Sequence, residues 1–211
     1  MKKILITGFA PFMGGSVNPS WEAVKEIEAP ADVELVKREI PVVFGKAIDV
    51  LLELVEQERP DAVICVGLAQ GRAAVTPERV AININDARGA DNEGNIPVDE
   101  TIRADGPAAY FTKLPLKAIV DAIGAAGVKA AVSNSAGTYV CNNIMYGLLY
   151  AIERRYPDMI GGFIHVPAST DMAAEIPEGT PVMDRADIVK ALTIAVEETA
   201  KVCRETGAGQ N

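Results

Sequence analysis

One imidazole and three thiols limit the chemistry this sequence can do near neutral pH. His165 is the only histidine, and the cysteines are Cys65, Cys141 and Cys203. Imidazole titrates close to physiological pH, so any acid–base work by that group falls to His165. Cys141 follows a run of small and polar residues from Ser133 to Thr138, and a helix is expected to open near Asn142. A free thiol has a pKa of about 8.5; the unpaired N–H groups and dipole of a helix start favour the thiolate, which is the nucleophile. The same N–H groups can receive an oxyanion. The plainer alternative is a buried cysteine packed as a small hydrophobe.

His165 lies in Gly161-Gly162-Phe163-Ile164-His165-Val166-Pro167, a short strand stopped by proline. Strand alternation puts it on the face of Phe163 and opposite Ile164 and Val166. There it is either a satisfied core histidine or the base that deprotonates Cys141 and later protonates a leaving amine. Glu78, in Thr76-Pro77-Glu78-Arg79, is either the first-turn acid of a helix capped by Thr76 or the carboxylate that orients the imidazole. Cys65 sits mid-strand among aliphatics and Cys203 on the last helix; both read as structural.

Along the chain, apolar runs alternate with amphipathic stretches, the pattern of an α/β protein. Strands are expected at residues 2–8, 33–43, 61–67, 80–85, 129–133 and 162–166. Helices are expected from Asn18 or Ser20 as cap, then at 45–58, 116–126, 142–156 and 185–205. Residues 87–114 are polar and rich in Gly, Pro and acids, a loop long enough to be functional. The result is a three-layer α/β/α sandwich around an open, mostly parallel (mixed) twisted sheet, in one domain over 1–211. Ligands of such sheets sit beyond the carboxyl ends of the strands. That directs attention to 8–18, 67–78, 135–141 and 165 onward, the segments in or beside which Cys141, His165 and Glu78 fall.

Composition narrows the partners. The net charge of −9 argues against binding a phosphate backbone. No apolar run approaches the ~20 residues of a membrane span, and the N-terminal apolar stretch breaks at Gly8 and Pro11, too soon for a signal peptide. Three cysteines with no CxxC pair fit a reduced, cytoplasmic setting. With one imidazole and scattered thiols, no zinc site of the usual kinds is expected. The glycine-rich 8–15 lacks the Lys and Ser/Thr of a phosphate-binding loop; no G-x-G-x-x-G follows a strand, and neither G-x-S-x-G nor G-x-C-x-G occurs.

Five blocks, in order along nearly the whole chain, resemble pyroglutamyl peptidase I, the pyrrolidone-carboxylate peptidases. They are Thr7-Gly8-Phe9-x-Pro11-Phe12 with Asn18-Pro19-Ser20; Gly71-Arg72 with Pro77-Glu78-Arg79-Val80-Ala81-x-Asn83; Ala87-Arg88-x-x-Asp91-Asn92-Glu93-Gly94-Asn95; Ser135-Ala136-Gly137-x-x-Val140-Cys141-Asn142; and Gly162-Phe163-Ile164-His165-Val166-Pro167. The resemblance implies a Cys141–His165–Glu78 triad that cleaves the amide after an N-terminal pyroglutamyl residue through a thioester, with no cofactor. It gives the Cys141 amide and Arg88 to the oxyanion, and Phe9, Phe12, Asn18, Leu68, Tyr139 and Val140 to the flat, uncharged lactam. It also implies peptide or protein substrates with N-terminal pyroglutamate, and a homodimer or homotetramer. Two positions depart from the family pattern: Met13 stands after the second phenylalanine, where glycine is usual, and Leu68 stands where some relatives have glutamine. Two other readings stay open, phosphorolysis on a nucleoside-phosphorylase-like fold and a small-molecule-binding domain with a vestigial site.

Overall fold

The computed structural model describes residues 1–12 and 14–208, with side chains to 205. Strand β1 (Lys2–Phe9) leads to helix α1 (Pro19–Glu26), β2 (Val33–Ile40), α2 (Lys46–Glu58) and β3 (Ala62–Leu68). The short strands β4 (Thr76–Pro77), β5 (Val80–Ile82) and β6 (Ala109–Phe111) follow, then α3 (Leu116–Ala125), α4 (Val140–Arg155) and β7 (Ile160–Val166). The chain closes with β8 (Ala168–Ser169), a single 3-10 turn, β9 (Val182–Met183) and α5 (Arg185–Ala208).

The main sheet has the order β2-β1-β3-β7-β4, with β4 antiparallel to β7 and the other pairs parallel. Its inner strands β1, β3 and β7 read as largely apolar runs because both faces are covered. Ile4, Ile6, Ile64, Val66, Ile164 and Val166 pack with apolar residues of α1, α3 and α5. Their neighbours Leu5, Val63, Cys65 and Phe163 point the other way, onto α2 and α4. The two-residue period thus sorts each strand between two helical layers, giving the expected α/β/α sandwich.

Several boundaries differ from the sequence reading. The second strand ends at Ile40, before Pro41. Residues 129–133 lie extended beside β4 but touch it only through isolated bridges, Val75 with Ala130 and Glu78 with Ser133. Pro77 breaks that ladder: its carbonyl accepts from the Ser133 N–H, but it has no N–H to give in return. Of the expected strand 80–85, only Val80–Ile82 forms, and it pairs outside the main sheet with β6. That partner lies inside the supposed loop 87–114, which is therefore partly strand. Helix α4 begins at Val140, two residues early, so Cys141 belongs to its first turn. Among the described residues, no helix is long and apolar enough to cross a membrane.

Candidate active site

The carboxyl ends of β1, β3 and β7 meet the N-terminus of α4, and the titratable residues singled out in the sequence gather there. Gly67 of β3 is the register partner of His165 on β7, so a side chain at either position leaves the same face of the sheet. A methyl group built on Gly67 would lie 3.0 Å from the Cys141 Sγ. The sulfur therefore rests on the sheet face that carries His165. The bareness of Gly67 permits that approach. The Phe163 ring, 4.8 Å from the imidazole, flanks His165 on that face as alternation predicts.

Glu78 approaches from the other side of β7. Its backbone N–H donates to the Phe163 carbonyl, and its carboxylate, fully buried, accepts from His165 Nδ1 at 2.7 Å. The alternative in which Glu78 opens a helix is overturned, because Thr76 and Pro77 are strand and the carboxylate turns inward. A carboxylate can only accept, so Nδ1 carries the hydrogen and Nε2 is left as the basic nitrogen.

Electrostatics favour a neutral thiol beside a neutral imidazole at rest. Burial, then the Glu78 charge, push the Cys141 thiol up to about 12, against an opposing pull from Arg72. Burial also holds His165 below its ordinary 6.5, although Glu78 favours the charged ring. The pull of the helix start toward the thiolate is therefore outweighed by burial. Desolvation disfavours the Glu78 charge as well, yet His165, then Ser133 and Arg72, outweigh it and keep the carboxyl below its usual 4.5. Ser133 acts by proximity: its hydroxyl donates to the Ser135 carbonyl, and Glu78 Oε2 has no hydrogen-bond partner among the described residues.

Cys65 and Cys203 are buried, with thiols raised by desolvation to about 12 and about 11. An elevated pKa thus does not distinguish Cys141. A neighbouring base does, together with a helix N-terminus whose cap residue, Tyr139, makes no side-chain cap bond to the first-turn N–H groups.

Residues 2–202 match the pyroglutamyl peptidase family. The chain belongs to that family. It is 52% identical over 200 residues to a pyrrolidone-carboxylate peptidase of Thermosipho africanus, covering 94% of this chain and 97% of that one. A Bacillus amyloliquefaciens relative of the same name is 49% identical, covering 99% and 98%. The crystal structure of Bacillus amyloliquefaciens pyroglutamyl peptidase I superposes with a TM-score of 0.92 at 49% identity, over 95% of this chain and 98% of that one. A mutant pyrrolidone carboxyl peptidase from the hyperthermophile Pyrococcus furiosus gives 0.89 at 40% identity, over 94% and 98%.

The residues that the family resemblance assigns to the lactam, and Arg88, which it assigns to the oxyanion, have different surroundings. Phe9 is buried and its ring lies 6.4 Å from that of Phe163. Phe12, Tyr139 and the exposed Arg88 line a cavity of about 450 Å³, and the Tyr139 hydroxyl donates to the Ala90 carbonyl. Val140 is buried behind Tyr139, and Leu68 ends β3 half-buried, opposite Val166. Asn18 is buried and holds the loop after β1: Oδ1 accepts from the Ser20 N–H and hydroxyl, and Nδ2 donates to the Ala10 carbonyl. Met13 lies outside the described residues.

Three residues near the centre received no role from the sequence. Asn142 clamps 82–84 to α4 by accepting from the Ile82 N–H and donating to the Ile82 and Ile84 carbonyls. Asp91 gathers the N–H groups of Phe44, Glu93 and Asn95, which ties part of 87–114 down. Arg72 donates to Glu78. All three stand in the family blocks, but a lone Asn, Asp or Arg carries no spacing signal of its own.

Proposed function

We propose that this chain is a cysteine peptidase that hydrolyses the amide bond after an N-terminal pyroglutamyl residue, using Cys141, His165 and Glu78. One observation carries the reading: in a member of this family, the Cys141 sulfur rests on the sheet face of an imidazole whose other nitrogen is held by a buried carboxylate.

In the reaction, His165 Nε2 takes the Cys141 proton as the sulfur attacks the exocyclic acyl carbon of the pyroglutamyl residue. The C=O electrons move onto oxygen, and the oxyanion is met by the Cys141 N–H and by Arg88. Collapse of this intermediate breaks the C–N bond, and the imidazolium gives its proton to the departing amine. Water, deprotonated by His165, then cleaves the thioester and frees pyroglutamate and the thiol. Glu78 stays ionised throughout, orienting the ring and stabilising it when charged. Because the resting pair is neutral, proton transfer accompanies attack.

The lactam is flat and uncharged, so it calls for apolar walls and a few amide partners. Phe9, Phe12, Leu68, Tyr139 and Val140 supply the walls, and Asn18 sets the loop that carries Phe12. The same reading takes 1–211 as one catalytic domain acting on peptides or proteins, without a cofactor, as a homodimer or homotetramer in the cytoplasm.

The test is hydrolysis of a pyroglutamyl arylamide before and after alkylation by iodoacetamide. Turnover should vanish on alkylation and in Cys141→Ala. Activity surviving either change would reject thiol catalysis.

A further inference from the structure

Arg72 is the one cation in direct contact with the His165–Glu78 pair among the described residues, and nothing in the reaction above uses it. It follows Gly71, whose φ of +94° favours glycine. The Arg72 N–H closes the turn onto the Ala69 carbonyl, bringing the side chain back over β4. Nη1 donates to Glu78 Oε1 and to Thr76 Oγ1, both at 2.6 Å, and Nη2 donates to the Ser135 carbonyl at 3.1 Å. The guanidinium therefore shares one carboxylate oxygen with His165 Nδ1. It also grips the turn that leads into Cys141.

From this geometry we infer that Arg72 is a positioning residue, which holds Glu78 as a carboxylate aimed at His165 and locks the turn before Cys141 in register with it. The inference rests on the proposed triad and adds a fourth member to it.

Two consequences separate this role from plain packing. Glu78 is fully buried with Oε2 unpaired, so without the guanidinium its charge would rest on His165 and the nearby Ser133 hydroxyl. Arg72 also lowers the pKa of both His165 and Cys141. The charged or titratable groups acting on those two are Glu78 and Arg72 around His165, with Cys65 in addition around Cys141; Tyr139 also senses the Cys141 charge. Arg72 is the positive one among them. Its loss should let His165 hold a proton to higher pH. Since the neutral ring is the active form, the acid limb of kcat/KM must move upward.

The test compares wild type, Arg72→Gln and Arg72→Lys on a pyroglutamyl arylamide between pH 4.5 and 9, with Cys141→Ala as reference. The expected result for Arg72→Gln is a fall in kcat of about 10- to 100-fold, the scale of one charge-assisted hydrogen bond, with KM within about twofold. Its acid limb should rise by half a pH unit or more. Arg72→Lys, which keeps the charge but not the fork, should restore the limb and recover part of kcat. If Arg72→Gln folds too poorly to assay turnover, the rate of Cys141 alkylation by iodoacetamide at pH 9 replaces it, and it should fall below that of wild type because the thiol loses the cation that opposes its rise. An Arg72→Gln enzyme whose acid limb stays in place, or whose Cys141 is alkylated at pH 9 as fast as in wild type or faster, overturns the inference. Cys141→Ala retaining activity would instead sink the underlying triad.

Discussion

Gly67→Ala is the sharpest probe of how the Cys141 sulfur is seated. A methyl group there would lie 2.7 Å from Phe163 Cζ and 3.0 Å from Cys141 Sγ. Carbon contacts are comfortable at about 3.5–4.0 Å, so ring and sulfur must both retreat by roughly 0.5–1 Å. The ring cannot easily yield: Phe163 is fully buried and lies against Phe9 and His165. The sulfur moves as well, and the ring's shift reaches the imidazole beside it. Displacements of about 1 Å at a reacting group cost on the order of 100-fold in rate, so kcat should fall by about that factor. Overpacking typically destabilises by about 1–3 kcal/mol, whereas replacing a strand glycine recovers about 0.5–1 kcal/mol. The net loss is up to about 2.5 kcal/mol, or up to about 5–10 °C in Tm for a domain of this size. Steady-state kinetics on the arylamide and calorimetry at one pH measure both. Gly124→Ala is the control: Gly124 is exposed on α3 with nothing near its added methyl, so activity should hold and Tm stay level or rise slightly. A Gly67→Ala enzyme with kcat within twofold of wild type and an unchanged Tm would refute the seating of Cys141 beside this strand.

Glu78→Gln should lower kcat by about 100-fold or more with KM nearly unchanged, since it removes the charge that supports the imidazolium; a change in KM alone would contradict that role. Cys65→Ala and Cys203→Ala should keep kcat within about twofold, at a stability cost of about 1–2 kcal/mol for the lost core volume, read by denaturant titration. Alkylation of Cys141 should accelerate throughout the alkaline range without a plateau at neutral pH, because burial raises the thiol to about 12; a plateau near pH 7 would reveal a resting ion pair. On acidification, Glu78 and Asp91, both held below their usual 4.5 and 3.8, contribute stability that is complete above those values and is lost as pH falls through the lower folded ones. Asp91→Asn should flatten the part of that acid dependence due to Asp91, as followed by urea midpoints at pH 3 and 6.

Residue identity and short-range pattern carried much of this protein. A single histidine confines imidazole chemistry to His165 without any geometry, and the two-residue period of the long strands foretells which face His165 shares with Phe163. Helix and strand types at 2–8, 45–58 and 162–166 follow from apolar spacing because each buries its face within its own span. Pairings that close over long separations were decided by the tertiary structure. Thr76-Pro77-Glu78 spells a helix start locally, yet Thr76 and Pro77 become strand because distant β7 offers them a ladder, and the Glu78 N–H donates to the Phe163 carbonyl. Arg72 meets the carbonyl of Ser135, 63 residues on, a contact no local pattern encodes. Protonation states belong to the same class. A helix start favours a thiolate, but desolvation depends on what surrounds the sulfur, and only the packed interior sets that balance.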